Sequence, residues 1–461
     1  MTVTLVVPHQ IAEEIACVAQ LPDETAGVMH VSVMHDSSDN VRLLARRMRW
    51  VPDSSYLRRD WNGLTIRSDG YVPFLGEAAS MGASCLWVHT HPGVDARPIP
   101  SPHDLRVDED LAPLFRVRTE TPYYGAVIFS PRDGGTAFTG HFAHEGGAAM
   151  PIDRIWQVGD RFRLTRYFGH SGGELTPAYD RNVRAFGPAV QQTLSDLRIG
   201  VVGCGGTGSV VSEQIVRLGV RRLTLIDPDL LSESNLTRVY GSTAADVGRS
   251  KVEVLRGHLE RIAPALQCDA LQSIVTLETT ARRLIGCDVV FGCTDDNAGR
   301  LVLSRLSSYL LTPVIDCGVL LSSDDDFRLS GINGRVTVLS PGAACLVCRG
   351  RMDLHRAAAE LMTPQERHRR QDEGYAPALG QTEPAVVSFT TMVGATAVNE
   401  LLERLVGFGP VPRPTEILLR WHDREVSTNV APPIVGHYCS SESGKLGLGC
   451  SSPFLEQTWP M

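Results

Sequence analysis

The sequence predicts an α/β protein of two domains: an α+β domain over residues 1–172, then an open, doubly wound, mostly parallel sheet over residues 173–461. Three observations predict it. With 461 residues, 43% of them hydrophobic, the chain is too long for one ordinary domain and apolar enough for more than one core. From Leu197 an apolar run breaks into Gly203-Cys-Gly-Gly-Thr-Gly208, a helical pattern follows to Gly219, and a second apolar run ends at Asp227. Beyond it, apolar segments such as Asp288–Gly292 and Pro313–Cys317 alternate with helical ones, the pattern of a parallel sheet covered on both faces.

In the first domain, alternating segments at Val3–Val7, Val28–Met34, Val41–Trp50, Cys85–His89, Tyr124–Ser130 and Thr136–Phe142 are separated by Gly, Pro, Asp and Ser, and read as strands of a mixed sheet. A helix is expected at Gln10–Gln20. Trp87-Val-His-Thr-His-Pro92 and Pro100-Ser-Pro-His-Asp104 carry the chemistry. His89 and His91, two apart at a strand end, project to one face. With Asp104 they would leave the fourth position of a tetrahedral zinc open for water, as a catalytic rather than a structural zinc requires. His103 and Asp95 compete as ligands, and ordinary loop polarity is the alternative for a bare His-x-His. From Glu145 to Thr176 the chain reads as a connector, with an amphipathic piece around Ile155–Phe168 and a glycine-marked boundary near His170–Gly173.

In the second domain, a strand running into a glycine turn and a helix points backbone N–H groups at one spot, where phosphate binds. Asp227 ends the next strand, where an acid can take a ribose hydroxyl. Taken alone, such a turn binds NAD or FAD more often than any other nucleotide. Asp295 follows the strand end at Gly292. Cys345-Leu-Val-Cys348 is spaced for zinc, with Cys439 and Cys450 as the remaining thiols and His437 nearby.

Two resemblances sharpen these readings. The first domain resembles the JAMM (MPN-domain) metalloproteases, whose pattern is a glutamate, then His-Ser/Thr-His-Pro, then Ser-x-x-Asp. The matching residues are Glu24 (in Asp23-Glu-Thr-Ala-Gly-Val-Met29), His89, Thr90, His91, Pro92, Ser101 and Asp104. The gap from Pro92 to Ser101 is longer than the commonest spacing of that family. The resemblance implies a cytidine-deaminase-like fold, zinc on His89, His91 and Asp104, Glu24 as general base, and Ser101 as donor to the developing oxyanion. The second domain is similar, in order and spacing, to the ThiF/MoeB family of ubiquitin-activating-enzyme-like adenylyltransferases. The motifs are Tyr179–Gly187, Gly203–Gly208, Ile226–Asp229, Ser234–Arg238, Gly248–Lys251 and Cys293–Arg300. That resemblance implies a Rossmann-like fold in which Gly203, Gly205, Gly206 and Gly208 approach the ATP phosphates and Asp227 or Asp229 takes the ribose. It further implies that Asn235, Arg238 and Lys251 offset phosphate charge, that Asp295 holds magnesium, and that Arg181 reaches a partner's ATP across a homodimer. A surface ion pair is the alternative for Arg181 and Arg184. Thr237 and Val239 stand where the family usually has Asn and Gln. Family members close a structural zinc with two Cys-x-x-Cys pairs; here the resemblance implies Cys345 and Cys348 with Cys439 and Cys450. The crossover segment Met362–Pro384 holds no cysteine, so the acyl adenylate is expected to pass directly to another protein, with Cys317 or Cys293 as substitute acceptors.

The expected function is adenylation of the C-terminal glycine of a ubiquitin-like protein in a bacterial pathway, with zinc-dependent cleavage of peptide or isopeptide bonds at the same terminus. A separate conjugating enzyme or sulfur-transfer protein completes the partners. Sulfur-carrier activation and trimming for biosynthesis, or a degenerate JAMM domain that only binds, are the alternatives. A formal charge of −8 and a pI near 6.0 argue against a nucleic-acid partner. The sequence has no apolar run of roughly 18 residues and no basic leader, so no membrane association is expected and a cytoplasmic location is. Eleven scattered cysteines fit that compartment.

Overall fold

Val28 and Met29 are adjacent in the chain and lie in different cores, because successive side chains of a strand point to opposite faces. The computed structural model describes residues 1–93, 98–132, 135–167, 176–323, 329–372 and 385–449. These fall into two compact units, 1–167 with 447–449, and 176–446. The expected boundary at 172/173 lies outside the described residues.

The first unit holds β1 (Val3–Pro8), α1 (His9–Ala19), β2 (Ala26–His35), β3 (Val41–Trp50), the hairpin β4 (Tyr56–Asp60) and β5 (Gly63–Ile66), and α2 (Val72–Ser80). There follow β6 (Ser84–Thr90), α3 (Pro102–Thr119), β7 (Tyr123–Arg132), β8 (Gly135–His144), β9 (Met150–Pro151), β10 (Arg154–Val158) and β11 (Arg163–Arg166). All but the hairpin form one mixed sheet in the order β11-β10-β1-β3-β2-β6-β7-β8-β9. On one face α1 contributes Ile15 to a core with Leu5, Met29 and Leu43. On the other, α2 and α3 bury Leu75, Leu111 and Phe115 against Val28, Trp87 and Tyr124. The connector expectation needs correcting: Ile155 belongs to β10, which pairs in parallel with β1, so most of the stretch from Met150 to Arg166 is sheet. Its burial pattern, Ile155 and Trp156 buried between half-buried Arg154 and Gln157, does not alternate, so the segment gave no strand period to read.

The second unit begins with α4 (Asp180–Phe186) and α5 (Pro188–Asp196), followed by β12 (Arg198–Val202), α6 (Gly206–Arg217), β13 (Arg222–Ile226), α7 (Lys251–Ile262), β14 (Gln267–Leu271), α8 (Glu278–Ala281), β15 (Val289–Gly292) and α9 (Asn297–Tyr309). It continues through β16 (Val314–Ser323), β17 (Leu329–Leu339), α10 (Leu354–Glu360), α11 (Pro364–Asp372), α12 (Val387–Val406), β18 (Glu416–Arg420) and β19 (Glu425–Asn429). The sheet order is β14-β13-β12-β15-β16-β17-β18-β19, parallel from β14 to β16 and antiparallel beyond. The chain leaves β12 for β13 on one side, and later returns to its other side as β15. Such a reversal opens a crevice at the carboxyl end of β12, where ligands collect in open α/β sheets. Among the described residues no helix is long and apolar enough to cross a membrane.

Candidate functional site

In the first unit, His89 is the last residue but one of β6 and His91 follows the strand, while Asp104 stands in the first turn of α3. Ser101 caps that helix: its Oγ accepts from the Asp104 N–H at 3.2 Å, and its own N–H donates to Asp104 Oδ2 at 2.6 Å. With Oγ engaged as acceptor, the hydroxyl proton of Ser101 is left to donate elsewhere. Asp104 Oδ1 and Oδ2 lie 3.5 Å from His89 Nε2 and 3.6 Å from His91 Nε2. Both ring nitrogens of His89 are buried and make no hydrogen bond. Two imidazoles and a carboxylate converge there, and the orphaned nitrogens fit a cation at that point. Burial would raise the Asp104 carboxyl, but the imidazoles of His89 and His91 facing it hold it well below the usual range.

Glu24, 9% exposed, faces the same cavity of about 570 Å³ as His89, His91, Ser101 and Asp104. Burial raises its carboxyl above the ordinary value, against the opposing pull of the two histidines. Thr90, the residue between the histidines, ties the Glu24 loop to the ligand strand: its Oγ1 accepts from Thr25 N–H at 3.0 Å and its N–H donates to the Thr25 carbonyl at 2.9 Å. His103 lines the cavity, while Asp95 lies outside the described residues. The hairpin β4–β5 supplies another wall through Trp61, Leu64 and Ile66. Sequence reasoning missed it, although Asn62-Gly63 was an available turn signal.

In the second unit, Gly203 has φ +91°, and a Cβ on Gly208 would lie 1.8 Å from the Gly203 carbonyl oxygen, so both positions require glycine for the turn to close. Gly205 precedes α6 without a side-chain cap, and a Cβ there would meet open space. The first N–H groups of α6 are therefore available to an anion. Arg238 reaches this helix start, its Cδ 3.3 Å from where a Gly206 Cβ would stand. Asp227 is 5% exposed and accepts from Cys204 N–H at 2.7 Å and Asp229 N–H at 2.9 Å, bracing the glycine turn against the end of β13. Burial raises its carboxyl, partly offset by Lys251. The side chain of Asp229 is 62% exposed and binds Lys251 Nζ at 2.7 Å. Buried Asn235 uses its amide oxygen on Ser232 N–H at 3.2 Å. Asp295 is exposed past β15, whereas its neighbour Asp296 caps α9. Arg181 stands exposed on α4, a helix with no buried residue, and Arg184 pairs with Asp180 at 2.9 Å.

Cys345, Cys348, His437 and Cys439 converge. His437 Nδ1 lies 3.5, 3.4 and 3.3 Å from the three sulfurs, and the sulfurs of Cys348 and Cys439 are 3.6 Å apart. Zinc–ligand bonds of about 2.3 Å to sulfur and about 2.0 Å to nitrogen make tetrahedral edges of roughly 3.5–3.8 Å, so this donor set fits a closed zinc site. The hydrogen bond from Cys439 lowers Cys345 to about 4, giving a thiolate at neutral pH. Cys450 lies outside the described residues, and His437 stands as the fourth donor. A His-x-Cys pair was legible at these positions but was passed over for thiols alone.

Comparisons with known proteins concern the second unit. The ThiF family matches residues 179–427. The tRNA threonylcarbamoyladenosine dehydratase 2 of Saccharomyces cerevisiae is 36% identical over 134 residues, 28% of this chain and 30% of that protein. The sulfur carrier protein ThiS adenylyltransferase of Escherichia coli is 32% identical, covering 33% of this chain and 56% of that protein. The molybdopterin-synthase adenylyltransferase of E. coli is 30% identical, covering 38% and 68%. The chain thus spans less than two thirds of the first two. Among solved structures, E. coli MccB with ATP aligns at 16% identity and a TM-score of 0.45, over 59% of this chain and 76% of that one.

Proposed function

The chain belongs to the ThiF family, and from that premise we propose that it adenylates the C-terminal glycine of a ubiquitin-like or sulfur-carrier protein. One observation carries the proposal: the uncapped start of α6, Arg238 and the Asp227–Asp229–Lys251 chain border one crevice at the end of β12. A carboxylate oxygen attacks the α-phosphorus of ATP and pyrophosphate leaves. The α6 N–H groups hold the phosphates, and Arg238, Lys251 and the Asn235 amide nitrogen stabilise the charge that builds in the transfer. Asp229, with the remaining lone pairs of Asp227, takes the ribose hydroxyls. Magnesium, when held by exposed Asp295, neutralises phosphate charge. Arg181 on the uncovered α4 acts on the ATP of a second copy in a homodimer.

The geometry of the first unit supports a second activity, hydrolysis of a peptide or isopeptide bond in the manner of a JAMM metalloprotease. His89, His91 and Asp104 would hold a zinc ion, which would supply Lewis acidity toward the scissile carbonyl and water. Glu24 takes the proton from the attacking water and returns it to the leaving amine, while the Ser101 hydroxyl donates to the developing oxyanion. Four thiolate and imidazole donors at Cys345, Cys348, His437 and Cys439 hold a structural zinc.

The protein incubated with ATP, magnesium and a glycine-terminated ubiquitin-like protein should catalyse ATP–pyrophosphate exchange, and intact-mass analysis should record the adenylate. A C-terminally extended version of the same protein should be trimmed, and a zinc chelator should stop the trimming. Absence of exchange with every glycine-terminated protein, sulfur carriers included, would falsify the adenylation proposal. Trimming that survives Glu24→Ala would remove the hydrolase one.

A further inference from the structure

Glu24 stands in an irregular stretch between α1 and β2, with no helix or strand of its own to hold it. The hairpin β4–β5 does so instead. Glu24 N–H donates to the Asp60 carbonyl at 3.0 Å, and Arg59 Nε donates to the Glu24 carbonyl at 3.0 Å. The same guanidinium reaches Thr25 Oγ1 at 2.5 Å and Asp53 Oδ1 at 2.7 Å, and its Cζ sits 4.8 Å from the centre of the Tyr56 ring. Tyr56 in turn takes the Ala26 N–H on its hydroxyl at 2.9 Å. The backbone of Glu24 and Ala26 and the side chain of Thr25 are therefore fastened by residues of β4, beside the bonds that Thr90 makes to the Thr25 backbone. A planar guanidinium with several donors is suited to fixing such a segment in one geometry, which a point charge is not.

We propose that Arg59 is the positioning residue for Glu24: it holds the loop backbone so that the carboxylate stays over the cavity shared with His89, His91 and Asp104. A base displaced by about 1 Å loses on the order of a hundredfold in rate, so this fastening governs turnover more than binding. The inference rests on the hydrolase proposal for its kinetic consequence and on the structure alone for its mechanical one.

Two measurements test it. With a Gly-Gly peptide coupled to aminomethylcoumarin, Arg59→Ala should lower kcat roughly 10- to 100-fold with KM within about twofold, and Arg59→Lys should recover part of the loss. In the metal-free protein, amide hydrogen exchange at Glu24 and Thr25 should rise at least tenfold in Arg59→Ala, while zinc content after loading stays equal to wild type. Asp53 has a side chain 92% exposed, so Asp53→Ala keeps the fold and releases one anchor of Arg59; it should give the same changes at smaller size. Unchanged exchange at Glu24 and Thr25 in both alanine variants would overturn the proposal. If wild type cleaves nothing while Arg59→Ala still loosens the loop, the hydrolase proposal fails and the positioning role stands.

Discussion

Lys251 has a side chain 10% exposed, and a buried ammonium needs a counter-charge, which Asp229 supplies at 2.7 Å. Under the adenylation proposal an α-phosphate arriving at the start of α6 offers a stronger one, and the lysine would exchange partners as ATP binds. Asp229 is well exposed, and buried Asp227 keeps its bonds from the Cys204 and Asp229 N–H groups when the lysine is removed. Lys251→Met should therefore leave the thermal midpoint within about 2 °C yet lower ATP–pyrophosphate exchange by roughly a hundred- to a thousandfold. A comparable loss of midpoint and exchange together would mean that the residue serves the fold. At this scale the sequence was readable where chemistry imposes a residue type: Gly203 and Gly208 because the turn cannot close around a Cβ, and His89 and His91 because their spacing sets their faces. It was mute on Asp227 against Asp229, since the difference lies in which backbone N–H groups each acid meets. His437 was legible beside Cys439, but not its meeting with Cys345, 92 positions earlier.

At the scale of elements, β2 carries His30, fully buried, with Glu77 of α2 and the β3 arginines Arg47 and Arg49 nearby. Burial pushes its imidazole down to about 4; Glu77 opposes this, and Arg47 and Arg49 add to it. Between that value and the unfolded one near 6.5 only the unfolded chain takes the proton. Stability contributed by the neutral ring is complete above pH 6.5 and is lost as pH falls toward 4, in all about 3 kcal/mol. His30→Leu should flatten that limb: the urea midpoint of the first unit, followed from pH 7 to pH 4.5, should fall less in the variant than in wild type. An equal fall in both would refute the assignment. The strands that escaped sequence reading share one property, shortness. The hairpin strands β4 and β5 have five and four residues and β11 has four, too few for a period to declare itself, and their place is set by partners far along the chain.

At the scale of the whole molecule, the two donor clusters differ in kind, and zinc should report both. Metal analysis of the protein should return two equivalents. Cys348→Ser should remove one and lower the thermal midpoint of the second unit, because the four donors come from segments about 90 residues apart and the ion closes that loop. His91→Ala should remove the other with little change in midpoint. A single equivalent in wild type, lost on Cys348→Ser, would leave the first unit without its proposed metal. The division into an α+β and a doubly wound unit was legible because long apolar and glycine-marked stretches announce parallel sheets. What could not be foreseen was that the first strand of the first sheet pairs with β10, some 150 positions later.

That pairing has a consequence in time. The N–H of Val3 bonds the carboxylate of Asp153, 150 positions later, and Thr4 lies opposite Arg154. At about 5–20 residues per second, the ribosome delivers that partner roughly 8 to 30 s after the first strand has emerged. Throughout the interval Val3-Thr-Leu-Val-Val7, buried along its whole length in the finished sheet, presents one unpaired, apolar edge. The nascent protein is thus expected to pass through an aggregation-prone stage that its mature surface no longer reveals, and chaperone co-expression should raise its soluble yield.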